Sequence, residues 1–356
     1  MANIIKVKLK DRSYSLIIGS GILSDIKKYI GKLNKTQVVI ISDHTVGGLY
    51  GKWIKNNLKN SNAFLLELPP GEKHKTLSAA AATYDKLIDL KINRDALIIA
   101  LGGGVIGDLA GFVASTYMRG VDLIHIPTTL LAMVDASIGG KTAVDHHKGK
   151  NLIGAFYQPK MVLIDIDVLA TLPPKELKNG LAEAVKYGVI KDPAIFKMLE
   201  GNPKVTPAFW QKLIYLCAKI KAEVVSKDER EMSGYRMILN FGHTIGHAVE
   251  SLTGYKAFSH GEAVAFGMVA ASLIARKIKL IDQKTYERIK EMVTRLKLPV
   301  KAKVSAAKIL RSIKLDKKAR SGKVRFVLPV SIGRVTVREN VPENIIKKAL
   351  LELGCK

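Results

Sequence analysis

The stretch Leu97-Ile-Ile-Ala-Leu-Gly-Gly-Gly-Val-Ile-Gly-Asp108 decides the fold of the first part of the chain. Its apolar half predicts a buried strand, and the glycine-rich turn after it leads into a predicted helix over residues 109–117. Gly102, Gly104 and Gly107 match the pattern G-x-G-x-x-G between a strand and a helix. Because glycine lets the backbone approach phosphate closely and a helix N-terminus attracts anions, the stretch predicts a nucleotide or phosphate site. The alternative is a tight turn that needs glycine only for its conformation or packing.

Short β-branched runs on either side of this stretch alternate with helical patterns as far as residue 172. They lie at residues 38–41, 64–68, 97–101, 123–126 and 162–166, and they predict a largely parallel sheet with helices between the strands. Thr171-Leu-Pro-Pro174 ends the alternation, because proline fixes φ and lacks a backbone N–H. Helical periodicity follows, apart from a predicted hairpin of residues 323–328 and 334–338. We therefore predict an α/β domain over residues 1–172 and a mainly α-helical domain over residues 173–356.

Composition excludes several classes of protein. Of the 356 residues 47% are hydrophobic, too many for a disordered chain. The net charge of +26 is compatible with nucleic-acid binding. However, the sequence has no RNP, zinc-finger or basic-zipper pattern, so we interpret the lysine excess as solvated surface and predict no nucleic-acid partner.

Compartment and membrane association follow from three further features. Two cysteines, Cys217 and Cys355, are too few for a disulfide framework, which favours the cytoplasm. Residues 1–10 alternate apolar and basic side chains, which predicts a strand instead of a signal peptide. The most apolar run, residues 263–275, is too short to cross a bilayer and predicts a buried helix. We predict no membrane partner.

Polar groups follow several predicted strands. Asp43 ends the strand that begins at residue 38, Pro69-Pro-Gly-Glu-Lys-His-Lys75 follows a second strand, and Thr128-Thr129 follows a third. Open parallel sheets bind ligands at the carboxyl ends of their strands. These groups therefore predict the rest of a nucleotide site, with Asp43 as the ribose partner.

Histidines cluster in the second half of the chain. Asn240-Phe-Gly-His-Thr-Ile-Gly-His247 places His243 and His247 four residues apart, and His260 follows in Ser259-His-Gly-Glu262. From spacing alone both helix histidines are candidate metal ligands, completed by His260 or an upstream carboxylate. The alternatives are structural histidines or a neutral imidazole that acts as a general base. Glu183 is either a ligand or one half of an ion pair with Lys186.

Several basic residues have small or apolar neighbours, unlike a solvated run of charge. They are Arg119, Lys141, Lys150, Lys221 and Arg236, with Asn151 beside Lys150. Such groups bind phosphate and carboxylate through charge-assisted hydrogen bonds, so they predict a small anionic substrate. Gly139-Gly-Lys-Thr142 resembles the end of a P-loop, but position 135 is Asp instead of the leading glycine, which argues against ATP hydrolysis.

Together these segments resemble the 3-dehydroquinate synthase family of sugar-phosphate cyclases over most of the chain. The matching stretches are residues 70–75, 102–108, 114–120, 126–129, 139–142, 149–154, 179–188, 221–231, 240–247 and 260–262. The resemblance implies an N-terminal NAD-binding α/β domain and a C-terminal, mainly α-helical metal-binding domain, usually in a homodimer. Between Lys221 and Arg236 the chain is one residue longer than the family pattern.

The resemblance also implies a reaction. The substrate would be 3-deoxy-D-arabino-heptulosonate 7-phosphate and the products 3-dehydroquinate and phosphate, in the shikimate pathway. NAD would take a hydride from C5 and return it after phosphate elimination, before an aldol step closes the ring. One divalent metal, zinc or cobalt, would act as a Lewis acid.

Residue roles carry over by position. The implied metal ligands are Glu183, His243 and His260, and the implied catalytic residues are Lys141, Lys186, Asn240 and His247. Implied substrate contacts are Asp135, Lys150, Asn151, Lys221, Arg236 and one of Lys317 and Lys318, with Arg119 reaching in from the other subunit. Implied NAD contacts are Asp43, Glu72, Lys75, Gly103, Gly104, Val105, Ile106, Gly107, Asp108, Thr128, Thr129, Lys141, Lys150 and Thr171.

Three alternatives stay open on the sequence. A valiolone-type synthase would use a sugar 7-phosphate without the carboxylate, against which Arg236 argues. A metal-dependent polyol dehydrogenase of related fold would release NADH, but a neutral polyol has no use for Lys141, Lys150 and Lys186. A nucleic-acid binder would rest on the net charge alone.

Overall fold

The computed structural model describes residues 2–58, 62–201, 203–319 and 324–356, with the backbone alone for 316–319. The chain divides into two compact units. The first unit comprises Met1–Pro173 and Val205–Arg230, and the second comprises Pro174–Lys204 and Glu231–Lys356.

Strands β1 to β9 belong to the first unit. The strands are β1 (Asn3–Val7), β2 (Tyr14–Gly19), β3 (Gln37–Asp43), β4 (Asn62–Leu68), β5 (Leu97–Gly102), β6 (Asp122–Pro127), β7 (Lys141–His146), β8 (Gly149–Phe156), β9 (Met161–Asp165), β10 (Arg325–Ser331) and β11 (Arg334–Glu339). Seven of them form one sheet in the order β1-β2-β9-β6-β5-β3-β4. In this sheet β1 is antiparallel to β2, and every other pair of neighbouring strands is parallel. The two remaining pairs, β7 with β8 and β10 with β11, are antiparallel hairpins.

Helices occur in both units. They are α1 (Ile26–Gly31), α2 (His44–Val46), α3 (Lys52–Asn57), α4 (Leu77–Asp89), α5 (Gly104–Thr116), α6 (Pro174–Ile190), α7 (Pro193–Glu200), α8 (Pro207–Lys227), α9 (His243–Leu252), α10 (His260–Lys277), α11 (Gln283–Arg295), α12 (Ala306–Ala319) and α13 (Glu343–Glu352). Shorter 3-10 turns include Glu72–His74, Tyr117–Arg119, Ile166–Thr171 and Tyr235–Asn240, and π-helical turns occur at Gly47–Gly51 and Ala132–Ala136.

The parallel sheet confirms the strands predicted from the β-branched runs, which correspond to β3, β4, β5, β6 and β9. All six residues of β5 are buried, as expected for a central strand of a parallel sheet with both faces covered. The predicted helix after β5 starts too late, however, because α5 already begins at Gly104. Apolar periodicity only becomes visible from Leu109, and the two glycines before it hide the first turn from a pattern search.

Helix α8 corrects the predicted division of the chain between residues 172 and 173. Although it lies in the sequence after the proline-rich boundary, its residues belong to the first unit. Ser226 Oγ accepts the backbone N–H of Lys8 at 2.9 Å, and Gln211 donates its side-chain amide to Asn3 at 2.7 Å. Helix α8 therefore packs on the antiparallel edge of the sheet, which its amphipathic pattern could not reveal.

The hairpin of β7 and β8 was not predicted and contains an irregularity. Val144 pairs with Ile153 and His146 pairs with Gly149. Asp145 alone on β7 therefore faces the three residues from Lys150 to Leu152 on β8. Extra residues of this kind form a bulge that re-aims side chains.

The second unit is mainly helical, with the predicted hairpin present as β10 and β11 and Gly333 in the left-handed region at its turn. Residues 263–275 of α10 are all buried, which confirms the predicted buried helix. Gly267 and Gly242 bring α10 close to the start of α9, since a Cβ on Gly267 would collide with the Gly242 carbonyl. Within the ranges described above, no helix combines the length and apolar character that crossing a membrane requires.

Candidate active site

The N-terminus of α5 forms the first part of the candidate site. β5 ends at Gly102, and Gly103 is the N-cap residue of α5. Glycine has no side chain with which to cap the helix, and no acidic residue lies in the first turn. The first-turn N–H groups and the positive end of the helix dipole thus suit an anion.

Glycine is required at different positions of this turn for different reasons. A Cβ on Gly102 would lie 2.8 Å from Ile106, and one on Gly103 would lie 2.9 Å from Thr129, so packing alone explains both. A Cβ on Gly104 would meet only Ala136, at an ordinary 3.4 Å. Packing within the protein therefore does not explain Gly104, whereas a ligand that approaches the backbone would.

A buried hydroxyl lies beside the same turn. Thr128 follows β6, and its N–H donates to the Gly102 carbonyl at 3.0 Å. Its Oγ1 is buried and has no hydrogen-bond partner among the described residues. Buried hydroxyl groups are normally hydrogen bonded, so this atom fits contact with a bound molecule. The residues present around the turn thus fit a dinucleotide.

Lys75 is the centre of a charged cluster in the first unit. Its side chain is only 4% exposed, and its ammonium group lies 3.1 Å from both Glu72 and Asp108. Lys75 Nζ also donates to Asn151 Oδ1 at 2.6 Å, and Lys150 Nζ lies 3.4 Å from Glu72. Five residues implied by the resemblance as cofactor or substrate contacts therefore lie together.

The cluster shifts the pKa values of its members. Burial raises the pKa of Asp108 to about 6, although Lys75 opposes this shift. Burial alone would lower the pKa of Lys75, but the carboxylates of Asp108 and Glu72 raise it above its ordinary value. Burial likewise opposes ionisation of Glu72, but Lys75 and Lys150 hold its pKa below the ordinary value. The two carboxylates that face Lys75 are therefore shifted in opposite directions, with the pKa of Glu72 lowered and that of Asp108 raised.

Other predicted nucleotide contacts have structural roles of their own. Asp43 caps α2 by accepting the N–H groups of Thr45 and Val46 at 2.9 and 3.0 Å. Thr171 Oγ1 lies 2.6 Å from the Tyr50 hydroxyl. These contacts within the protein do not test a role in nucleotide binding, so both assignments stay predictions.

Further predicted substrate residues occupy the first unit. Lys221 on α8 donates to Asp135 Oδ1 at 2.6 Å, and the lysine is buried. Lys141 begins β7 and is exposed. Arg119 is also exposed, and it has a left-handed backbone, as does Met118 beside it.

The second unit brings one carboxylate and two imidazoles together. Glu183 Oε1 lies 3.6 Å from His243 Nε2 and 3.7 Å from His260 Nε2. These three ligand atoms lie within 4.8 Å of one another. Nitrogen and carboxylate oxygen ligands in this number are typical of a catalytic zinc or cobalt site with an open position.

The surroundings of Glu183 support this interpretation. The side chain is fully buried, and neither carboxylate oxygen accepts a hydrogen bond from any described residue, although Lys186 forms an ion pair with it. Burial of a carboxylate without hydrogen bonds is costly unless a cation compensates it. Burial and the nearby Lys186 also lower the pKa of His243 well below its ordinary value, which keeps its imidazole neutral. The residues present therefore fit a divalent metal.

The start of α10 is fixed against α6, which positions His260. Ser259 caps α10 in a capping box with Glu262, whose Oε2 accepts the Ser259 N–H at 2.8 Å. The Ser259 hydroxyl also lies 2.7 Å from Asn179 Oδ1 on α6. Gly261 allows this approach, because a Cβ there would collide with the Asn179 backbone.

Sequence reasoning missed Glu250. This buried carboxylate lies 3.3 Å from His260 Nδ1, on the side of the ring opposite to the atom that faces Glu183. Burial alone would lower the pKa of His260, but the hydrogen bond and charge of Glu250, together with the charge of Glu183, raise it above its ordinary value. The H-x-x-E spacing from His247 was the available signal. His247 itself is exposed and forms a second close group with Glu250 and His260.

The remaining predicted residues of the second unit lie in and around a 3-10 turn. Arg236 is buried, with its Nε 3.4 Å from Glu231, and Asn240 ends the turn. The left-handed residues Glu231 and Gly234 precede this turn, in the stretch that the resemblance predicts to be one residue longer than the family pattern. The predicted substrate contact from Lys317 or Lys318 lies outside the described side chains.

Comparison with known proteins covers nearly the whole chain. Residues 65–179 match the family described as 3-dehydroquinate synthase N-terminal, and residues 180–319 match 3-dehydroquinate synthase C-terminal. The 3-dehydroquinate synthase of Crocosphaera subtropica is 45% identical over 364 residues, which cover 99% of this chain and 100% of the relative.

Two solved structures share the fold. One is 2-deoxy-scyllo-inosose synthase complexed with carbaglucose-6-phosphate, NAD+ and Co2+, with a TM-score of 0.89, 27% identity and coverage of 98% of this chain and 100% of that one. The other is 2-epi-5-epi-valiolone synthase from Streptomyces hygroscopicus subsp. jinggangensis with NAD+ and Zn2+ bound, with a TM-score of 0.88, 29% identity and coverage of 97% and 98%. They confirm the predicted dehydroquinate synthase-like fold of an α/β unit and a mainly helical unit. Since both halves are matched and the identity extends over almost the full length, this chain belongs to the 3-dehydroquinate synthase family.

Proposed function

We propose that this chain is a 3-dehydroquinate synthase that converts 3-deoxy-D-arabino-heptulosonate 7-phosphate to 3-dehydroquinate and phosphate. The observation that carries the proposal is the 45% identity to the Crocosphaera synthase over 99% of the chain. The enzyme is accordingly a phosphorus-oxygen lyase that acts on a small sugar phosphate.

The first unit holds the dinucleotide in this proposal. The N–H groups of residues 103–107 bind the pyrophosphate, and Thr128 Oγ1, which is buried without a partner among the described residues, provides a further contact. NAD, when bound, accepts a hydride from the substrate and returns it. The remaining proposed contacts orient the NAD molecule. They come from Asp43, Glu72, Lys75, Asp108, Thr129, Lys141, Lys150 and Thr171.

The second unit holds one divalent metal, zinc or cobalt, through Glu183, His243 and His260. The metal, when bound, supplies a Lewis acid for the substrate oxygens. The buried, ion-paired Lys186 balances the charge of Glu183 beside it. Both solved relatives named above contain NAD+ together with Co2+ or Zn2+, which supports the pairing of the two groups here.

The chain's own cations and proton carriers act on the substrate. Lys150, Asn151 and Lys221 bind its anionic groups, and Arg236 favours its carboxylate because a guanidinium binds both carboxylate oxygens. His247 carries an exposed imidazole, so it can exchange a proton between substrate and solvent. Lys141, Lys186 and Asn240 orient the reacting hydroxyl groups. Asp135 and either Lys317 or Lys318 complete the substrate contacts. Arg119 acts on the substrate of the second subunit of a homodimer.

A cytoplasmic location is proposed with the homodimer. Its support is the pair of cysteines, Cys217 and Cys355, which are both buried as free thiols. Free buried thiols are ordinary in a reducing compartment.

A valiolone-type synthase is the second candidate, because one solved relative has that activity. Its 29% identity is well below the 45% of the synthase relative. Phosphate release measured with catalytic NAD separates the two, since only the proposed synthase should turn over the heptulosonate 7-phosphate. Turnover of sedoheptulose 7-phosphate alone would refute the proposal. Steady accumulation of NADH would instead indicate a dehydrogenase, and a chelator should abolish phosphate release.

A further inference from the structure

The bulge between β7 and β8 presents two of the residues to which the proposed function assigns binding roles. Lys150 and Asn151 lie in the bulge, and Asp145 is the single residue that faces them from β7. Asn151 has φ of +56°, the left-handed region that side chains other than glycine adopt at a cost. Asparagine adopts this region more readily than most residues with a side chain, and a hydrogen bond to its backbone would hold it there.

Asp145 provides that contact. Its Oδ1 accepts the backbone N–H of Asn151 at 2.9 Å. The same oxygen lies 3.7 Å from the ammonium group of Lys75, which donates to the Asn151 side chain at 2.6 Å. One carboxylate thus connects the backbone of the bulge to the lysine that its side chain contacts.

The backbone of Asp145 makes a second connection to the same lysine. Its N–H donates to the Lys75 carbonyl at 2.7 Å, and Thr76 forms an isolated parallel bridge with Asp145. The segment that carries Glu72 and Lys75 is therefore fixed to β7 at the position opposite the bulge. The Asp145 side chain is only 17% exposed, so solvent screens these contacts weakly.

We propose that Asp145 is a positioning residue that holds the bulge and Lys75 in the arrangement that binds cofactor and substrate. Asp145 acts through Asn151, Lys150 and Lys75 and does not itself contact either ligand. The inference rests on the proposed function, because the roles of those three residues are named there.

The test measures NAD binding and steady-state kinetics of the full-length variants Asp145→Ala and Asp145→Asn. The melting temperature of each variant is compared with that of the unaltered protein, to check that the variant is folded. Removing a hydrogen bond to a charged group should raise the dissociation constant for NAD about tenfold or more in Asp145→Ala. The KM for the sugar phosphate should rise with it, whereas kcat should fall by less than about threefold, because the proposed proton carriers are untouched. The dissociation constant of Asp145→Asn for NAD should lie between those of the unaltered protein and Asp145→Ala. The amide oxygen of the asparagine still accepts the Asn151 N–H, but the neutral side chain no longer attracts Lys75.

The matched control is Asp122→Ala together with Asp122→Asn. Asp122 is also a partly exposed carboxylate of the first unit with two lysine partners, Lys35 at 3.1 Å and Lys160 at 3.3 Å, but it begins β6 and has no proposed binding role. Its variants should bind NAD within about twofold of the unaltered protein.

Each result is decisive. Affinity for NAD within twofold of the unaltered protein in Asp145→Asn, or in a folded Asp145→Ala, overturns the inference, as does an equal effect in the Asp122 variants. If Asp145→Ala does not fold, the near-isosteric Asp145→Asn decides alone. If the unaltered protein binds no NAD and releases no phosphate, the proposed function fails, and this inference fails with it.

Discussion

Replacement of Glu250 by glutamine tests how the metal site of the second unit is held. Glu250 lies 3.3 Å from His260 Nδ1, while the opposite ring nitrogen faces Glu183. A carboxylate in this position orients a metal-binding imidazole and increases its basicity, and its loss commonly weakens metal binding by about 10- to 100-fold. Because 3.3 Å is slightly longer than the usual N–H to oxygen range of about 2.7–3.2 Å, we expect about tenfold for Glu250→Gln.

The same change has a consequence for stability. At a metal concentration about 100 times the dissociation constant, binding stabilises a protein by about 2.7 kcal/mol, and a tenfold weaker site leaves about 1.4 kcal/mol. The free energy of unfolding of the metal-loaded variant should therefore fall by about 1.3 kcal/mol more than that of the metal-free variant. Chelator-competition titration gives the dissociation constant, and denaturant unfolding with and without zinc gives the stability.

Glu262→Gln is the control for this experiment. Glu262 lies in the first turn of the helix that begins with His260, and its carboxylate contacts Ser259. Glutamine also serves at this capping position, so neither metal affinity nor stability should change appreciably. The reasoning is refuted if Glu250→Gln binds zinc within threefold of the unaltered protein, or if Glu262→Gln weakens binding equally.

Three further substitutions test other parts of the site. Gly104→Ala should not destabilise the fold, since its Cβ would meet only Ala136 at 3.4 Å, but it should weaken NAD binding at least tenfold by calorimetry; unchanged affinity would contradict the proposed phosphate contact. Asp108 should titrate near pH 6. Because this pKa exceeds the ordinary value, protonated Asp108 favours the folded state. This contribution to stability is complete below about pH 4 and is lost as the pH rises through 6. Asp108→Asn should therefore flatten the dependence of unfolding free energy on pH between about 4 and 6, and a persistent slope would assign it to another group. Lys221→Met removes the 2.6 Å bond to Asp135 and should cost about 1.5–3 kcal/mol in urea unfolding; a cost below about 0.5 kcal/mol would show that the pair contributes little.

Features with a local periodic signal could be predicted from the sequence. The strand that became β5 and the buried run of α10 show their patterns within a few residues, and both are present in the structure. The start of α5 was missed because it depends on contacts distant in sequence, such as Thr129 packed against Gly103. Intrinsic propensity at a glycine-rich turn is too weak to locate that boundary.

The candidate metal site shows a similar division. Spacing identified His243 and His247 as a helical pair, but spacing alone cannot distinguish them. The tertiary structure does, because Nε2 of His243 faces the buried Glu183 while His247 is exposed. The choice of Glu183, His243 and His260 came from the family resemblance and stays a prediction until metal binding is measured.

The bulge was beyond sequence reasoning altogether. Residues 141–151 contain the adjacent histidines His146 and His147 and one glycine, Gly149, and they give no regular strand pattern. The left-handed Asn151 contacts a carboxylate six residues earlier and a lysine from a distant segment. Such a feature arises from several tertiary contacts at once, so no local rule predicts it.

The membership of α8 in the first unit has a consequence for biosynthesis. The ribosome synthesises residues 1–173 before α8. The antiparallel edge of the nascent sheet therefore stays uncovered until about fifty more residues, which include α8, have been synthesised. Expression of the α/β part as a fragment that stops at the proline-rich boundary should thus yield an aggregating product. A fusion protein that joins residues 205–230 directly to residues 1–173 should remain dispersed.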